Sequence, residues 1–176
     1  MTENQSDTEK HWYVAYVKSC QEKKVAAALG ELGEECFLPV QHVRKRWSDR
    51  IKWKDVLVLK GMIFIRTTPQ KRIPLMQQIF GIYAYMTEGG AHHPVVVPPE
   101  EMELFMFVVN QHESEVTFIQ EQPRKGEKVM VNQGALMGLQ GELVDFRNKS
   151  RVVVRIGVLG AAVVEVPLAN VERVKG

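Results

Sequence analysis

The chain has 176 residues, with 23 Lys and Arg against 21 Asp and Glu and a formal net charge of +2. That length fits one domain or two small ones, and 45% hydrophobic with 25% charged residues is a globular composition, not a disordered or fibrous one. No apolar run approaches the ~20 residues of a membrane helix, so no membrane partner is expected, and two cysteines without paired spacing suit a reducing, cytoplasmic setting.

The opening MTENQSDTEK is polar, lacks the apolar core of a secretory signal, and is expected as a disordered tail over 1–10. WYVAYV (12–17), aromatic and β-branched, reads as a buried strand. Val25, Ala28, Leu29 and Leu32 then fall on one helix face, with Gly33 as its stop. CFLPVQHVRKRW (36–47) is extended, Ser48-Asp49 offers a turn, and IKWKDVLVL (51–59) runs back. Within 44–55 six basic residues meet two aspartates, which concentrates positive charge on this hairpin. MIFI (62–65) is a further strand, and Pro69 opens a second helix with Ile73, Met76 and Phe80 as its expected apolar face. GIYAYM (81–86) is the next strand. Pro98-Pro99-Glu100-Glu101 begins a third helix with the stripe Met102, Phe105, Met106 and Val109.

Strand, helix, two strands, helix, strand and an added helix follow the split βαβ order of a ferredoxin-like α+β domain, expected over 11–112. HESEVTFIQEQPR (112–124) loses the periodicity, and 113–124 is expected as a linker. Beyond it VMV, GELVDF, RVVVRI, AAVVEV and NVERV are short strands between turn residues, which makes 125–176 a small all-β barrel. The glycines Gly134, Gly138 and Gly141 would cradle a phosphate only between a strand and a helix, and a P-loop also needs Gly-Lys-Ser/Thr. Here the chain runs on into another strand, so the glycines are expected as turn formers and no nucleotide site follows.

KGEKVMVNQGALMGLQGELVD (125–145) resembles a KOW motif, with Gly126, Val129, Val131, Gly134, Gly141 and Val144 in the favoured positions. WYVAYV, FLPV (37–40), VLKGMIFI (58–65), GIYAYMTEGG (81–90) and VPPEEME (97–103) are similar, in the same order, to the N-terminal domain (NGN) of NusG-type transcription factors. Together the two halves resemble the NusG family over 12–174. The resemblance implies a monomeric elongation or antitermination factor without a cofactor. Its NGN domain would bind the clamp helices of RNA polymerase through an apolar depression and approach the gate loop with a second edge. The KOW domain would recruit a ribosomal protein or a termination factor. Lys60-Gly61-Met62 stands where relatives often have Pro-Gly-Tyr, and the hairpin is unusually basic. Both suggest a specialised paralogue, similar to RfaH or to the factors of capsule loci.

Several residues carry two readings. Met62 and Phe64 alternate with Ile63 and Ile65, so the pairs point to opposite sheet faces. Either all four are core, or Met62 and Phe64 line a polymerase groove with Tyr16 and Tyr85. The resemblance favours the groove and adds Arg72, Ile73 and Pro74 to the polymerase-binding set. Lys18, Lys23 and Lys24 form a solvated helix face or, by position in RfaH-like factors, touch the non-template DNA strand. Arg44, Lys45, Arg46, Trp47 and Trp53 interleave cations with indoles, which suits DNA or nascent RNA, or else simply guard a sheet edge. His92-His93 is no metal site, since neighbouring histidines in a turn rarely converge on one ion. Cys20 and Cys36 are expected as buried or half-buried thiols, and no catalytic motif stands out. The alternative function is a KOW-containing RNA-binding or ribosome-associated protein.

Overall fold

A computed structural model of the chain describes residues 8–46, 48–89, 93–111, 115–120, 126–146, 149–156 and 159–174, the side chains of 45, 145, 146, 149 and 150 excepted. In chain order the first elements are β1 (His11–Val17), α1 (Glu22–Glu31), β2 (Glu35–Phe37), β3 (Val40–Arg46) and β4 (Ile51–Leu57). There follow β5 (Met62–Thr67), α2 (Pro69–Gln78), β6 (Ile82–Tyr85), β7 (Val96–Val97) and α3 (Pro99–Val109). The last six are β8 (Val116–Ile119), β9 (Glu127–Val131), β10 (Gln140–Phe146), β11 (Lys149–Ile156), β12 (Gly160–Glu165) and β13 (Val171–Arg173).

The chain divides into two compact units, 1–39 with 59–99, and 40–58 with 100–176. That departs from the expected boundary at 112, because the β3–β4 hairpin and nearly all of α3 group with the C-terminal strands. Residues 1–7 of the tail expected over 1–10 lie outside the described residues, as do Trp47 and His92.

The first unit is a sheet in the order β2-β5-β1-β6, with β7 on β1. β1 runs antiparallel to β5 with Tyr13 opposite Ile65, Val14 opposite Phe64, Ala15 opposite Ile63 and Tyr16 opposite Met62. Strand alternation therefore sends Tyr13, Ala15, Val17, Ile63 and Ile65 to one face. There they form a core with Val25 and Leu29 of α1 and with Leu75 and Ile79 of the α2 segment. The N-terminus of α1 is pinned by Glu22, whose buried carboxylate accepts the Gly61 N–H at 3.0 Å. α2 starts at Thr68, whose hydroxyl accepts the Lys71 N–H, with Pro69 in its first turn.

The expected apolar face of α2 is corrected. Leu75 and Ile79 are buried and Met76 is half-buried, while Ile73 and Phe80 face solvent. The segment offers two overlapping apolar stripes, and packing against the sheet selects the i, i+4 pair 75 and 79. The helix ends at Gln78, which puts Phe80 beyond its last turn.

In the second unit β3 and β4 form a separate two-stranded hairpin. The single extended stretch expected over 36–47 is thus two strands, parted at Leu38-Pro39 where proline supplies no ladder donor. The C-terminal strands form a six-stranded sheet in the order β13-β9-β10-β11-β12-β8. β8 lies inside the segment expected as a linker. It pairs with β12, Phe118 opposite Ala162 and Val116 opposite Val164, and the Phe118 ring meets Phe105 of α3 edge-on at 6.0 Å. The buried side chain of Gln41 ties this arrangement together. Its Nε2 donates to the Gln111 carbonyl and its Oε1 accepts the Val116 N–H, both at 2.9 Å.

Gly134 and Gly138 take positive φ angles of 84° and 90° in turns, as expected. Gly141 does not. It sits inside β10 opposite Val129, and a Cβ there would lie 2.7 Å from the Val153 carbonyl oxygen. It is a close-approach glycine within a sheet, and strand rather than helix follows the glycine run.

Candidate functional site

Two surfaces carry the candidate residues, one in each unit. In the first unit, Tyr16 at the end of β1 stacks on Tyr83 of β6, ring centroids 6.0 Å apart and 18° from parallel. Met62 stands opposite Tyr16 in the ladder, and both are half-buried. Two residues beyond Tyr16, the Lys18 ammonium lies 4.5 Å from the Phe80 ring centroid. The Lys18 N–H donates to the Gly81 carbonyl at 2.8 Å, which fixes the end of β1 beside the start of β6. Phe80 is 77% exposed and Tyr83 58% exposed. Large apolar groups left in water form a surface suited to protein contact.

Two members of the expected groove do not belong to it. Phe64 has no exposed surface and packs on Phe37 at 6.3 Å. Tyr85 lies opposite Ala15, on the helix-covered face. An irregularity in the β1–β6 ladder between Tyr16 and Val17 sets both Ile82, opposite Val17, and Tyr85, opposite Ala15, on that face. The Tyr85 ring meets Tyr13 edge-on at 6.2 Å, and the Arg72 guanidinium lies 5.2 Å from the Tyr85 centroid and 5.6 Å from that of Tyr13. Burial raises the Tyr85 hydroxyl pKa to about 12, against a smaller lowering by the Arg72 charge. Arg72 thus serves the tyrosine cluster, while its neighbours Ile73 and Pro74 are exposed on α2. Tyr83 went unnoticed as a surface residue in the sequence, and Phe80, expected on the packed face of α2, joins it in the open instead.

The second surface is the β3–β4 hairpin. Its register sets His42 opposite Asp55, Arg44 opposite Trp53, Lys45 opposite Lys52 and Arg46 opposite Ile51. Residues opposite one another share a face. His42, Arg44, Arg46, Ile51, Trp53 and Asp55 therefore lie on one side, all exposed, whereas Gln41 and Val43 on the other side are buried. Trp53 is 54% exposed and lies parallel to the His42 ring, 1° apart with centroids 5.1 Å distant. His42 Nδ1 and Asp55 Oδ1 are 2.8 Å apart. At the tip, Arg44, Arg46, Ser48, Asp49, Arg50 and Ile51 line a cleft of 520 Å³. The hairpin brings Arg44, Arg46 and Trp53 together as the sequence suggests.

Lys23 and Lys24 are exposed on α1. Cys36 is half-buried, with its thiol pKa raised by burial and less by Glu35. Cys20, expected to be buried at least in part, is exposed in a turn with φ of 64°. Among the described residues no three His, Cys, Asp or Glu gather to hold a metal ion, and no helix is long and apolar enough to cross a membrane.

A ferredoxin-like α+β unit and a second unit built on the six-stranded C-terminal sheet, with exposed aromatic and cationic surfaces, define a two-unit α+β protein with an all-β C-terminal region. The family model "Transcription termination factor nusG" matches residues 10–106, more than half of the chain. The chain belongs to the NusG family of transcription elongation factors, which are binding proteins rather than enzymes. Among solved structures it is similar to Thermotoga maritima NusG, from "Domain interaction in Thermotoga maritima NusG", at 18% identity and a TM-score of 0.52, covering 95% of this chain and 98% of that one. A weaker likeness reaches conformation A of the MjSpt4:Spt5 complex, at 14% identity and a TM-score of 0.32, covering 93% and 97%. No curated protein matches.

Proposed function

We propose that the protein is a transcription elongation and antitermination factor that rides on RNA polymerase through its first unit. The observation that carries this reading is the family match over residues 10–106, which takes in the exposed rings of Phe80 and Tyr83 and the half-buried Tyr16 and Met62 beside them. In the family's manner that surface would receive the helical ridge of the polymerase clamp, with Ile73 and Pro74 facing the second side of the cleft. Bridging the two sides resists the open, paused state. The all-β C-terminal region over 125–176, read as a KOW domain, recruits a further partner such as a ribosomal protein or a termination factor. Lys60-Gly61-Met62 and the basic hairpin favour a specialised paralogue.

The test is polymerase binding and pause escape with purified polymerase. Aromatic anchors at protein interfaces cost about 2 kcal/mol or more on truncation. Tyr83→Ala with Phe80→Ala should weaken binding at least tenfold and lengthen pauses at an unchanged thermal midpoint. Binding equal to wild type would remove this surface from the docking reading.

A second contact is favoured by the hairpin register, which aligns Arg44, Arg46 and Trp53 on one exposed face. We read it as a nucleic-acid contact to the non-template DNA or nascent RNA, with Lys18, Lys23 and Lys24 as a separate cationic edge on the first unit.

A further inference from the structure

We propose that the exposed face of the hairpin takes single-stranded nucleic acid in particular, one base stacking on the Trp53 indole and neighbouring phosphates seating in the arginine cleft at the tip. The proposal rests on the reading that the hairpin contacts nucleic acid and adds which form it selects. A solvated edge hairpin needs lysines, and it has no use for a tryptophan held more than half in water. Trp53 is also not a loose side chain. The parallel His42 ring stacks on one side of the indole and fixes its plane, and His42 is itself held by Asp55 at 2.8 Å. Arg44 stands directly across the ladder from the indole, so a cation flanks the ring.

Same-face positions along a strand recur about every 6.8 Å, so Arg46 stands one such step from Arg44, towards the tip. There Arg44, Arg46 and Arg50 surround the 520 Å³ cleft against the single carboxylate of Asp49, which lies 3.9 Å from Arg50 Nε. Three guanidiniums at one tip are a phosphate site by charge and by donor geometry. The indole decides the form of the ligand. In a duplex each base face is covered by its stacked neighbours and the grooves offer only edges. A free π-face is presented by single strands, loops and bulges, and stacking on it reads neither sequence nor the 2′-hydroxyl.

The experiment measures fluorescence anisotropy of labelled oligomers with the full chain: oligo-uridylate, oligo-thymidylate, an abasic oligomer of the same backbone, and a duplex. Stacking on an aromatic ring is lost with the ring, so Trp53→Ala should weaken both base-bearing single strands about tenfold while leaving the abasic oligomer unchanged. Trp53→Phe should restore most of the difference, and the duplex should bind more weakly than the single strands. The triple change Arg44→Gln, Arg46→Gln, Arg50→Gln should weaken every ligand and lower the salt slope for single strands by up to about 2. Arginine dependence without any effect of Trp53→Ala, equal losses on the abasic oligomer, or a duplex bound as tightly as single strands would overturn the single-strand proposal alone. A triple variant that binds every ligand like wild type would overturn the underlying hairpin reading as well.

Discussion

The β1–β5 pair and the β3–β4 hairpin are made from similar material and end in opposite roles. Both are antiparallel, and both mix aromatic with β-branched residues. Over the middle of β1–β5 both faces are closed: Trp12, Val14 and Phe64 on one, Tyr13, Ala15, Ile63 and Ile65 on the other, all buried. In the hairpin Gln41 and Val43 are buried on one side, and the side carrying Arg44 and Trp53 is open. An aromatic ring in a strand therefore has no fixed meaning. Coverage of its sheet face decides whether it holds the fold together or remains available to a partner.

The largest expected effect tests the closed pair. Phe64→Ala empties a fully buried site and should destabilise the protein by about 3–5 kcal/mol, as large-to-small core changes do. Denaturant unfolding measures it. A change below about 1 kcal/mol would mean that Phe64 is not the core residue that its burial indicates.

Next comes the inner side of the hairpin. Gln41→Ala removes both hydrogen bonds and leaves the Val116 N–H and the Gln111 carbonyl without that partner. The loss should be about 2–3 kcal/mol, since orphaned buried groups cost more than the bond itself. Hydrogen exchange at the Val116 amide should quicken in parallel. An unchanged exchange rate would show that β8 is held by its pairing with β12 alone.

A somewhat smaller effect concerns Tyr85. Its pKa is raised by burial to about 12 from the ordinary 10, so the folded state keeps its proton longer than the unfolded chain. The contribution is complete below pH 10 and is lost as pH rises towards 12, by about 2 kcal/mol. Tyr85→Phe has no proton to release there. Its stability should fall less than that of wild type between pH 10 and 12, and identical curves would show that the hydroxyl is not buried.

The smallest effect completes the comparison. Trp53→Ala on the open face should change stability by no more than about 0.5 kcal/mol, as surface substitutions do. A loss near that of Phe64→Ala would erase the distinction between the two strand pairs.

Much of this molecule was legible in its sequence because short-range chemistry settled it. The alternation of WYVAYV and MIFI set which residues share a face, and Ile63 and Ile65 do lie under the helices. Proline placed the start of α2, and valine-rich runs between turn residues placed five of the six C-terminal strands. The charge of the hairpin was equally plain. What failed were choices among equivalent local patterns. Ile73–Phe80 and Leu75–Ile79 are both apolar spacings, and only packing of α2 on the sheet selected the second. VTFI inside a polar stretch looked like linker until β12 supplied its ladder partners.

The candidate surface divides along the same line. Residue type and spacing alone determined the family resemblance and the cationic, indole-bearing hairpin. Tertiary structure alone decided that Phe64 is closed off, that an irregular ladder carries Tyr85 to the core with Arg72, and that Phe80 and Tyr83 remain open. Burial is a property of both partners in a contact, and the sequence around any one residue records only its own half.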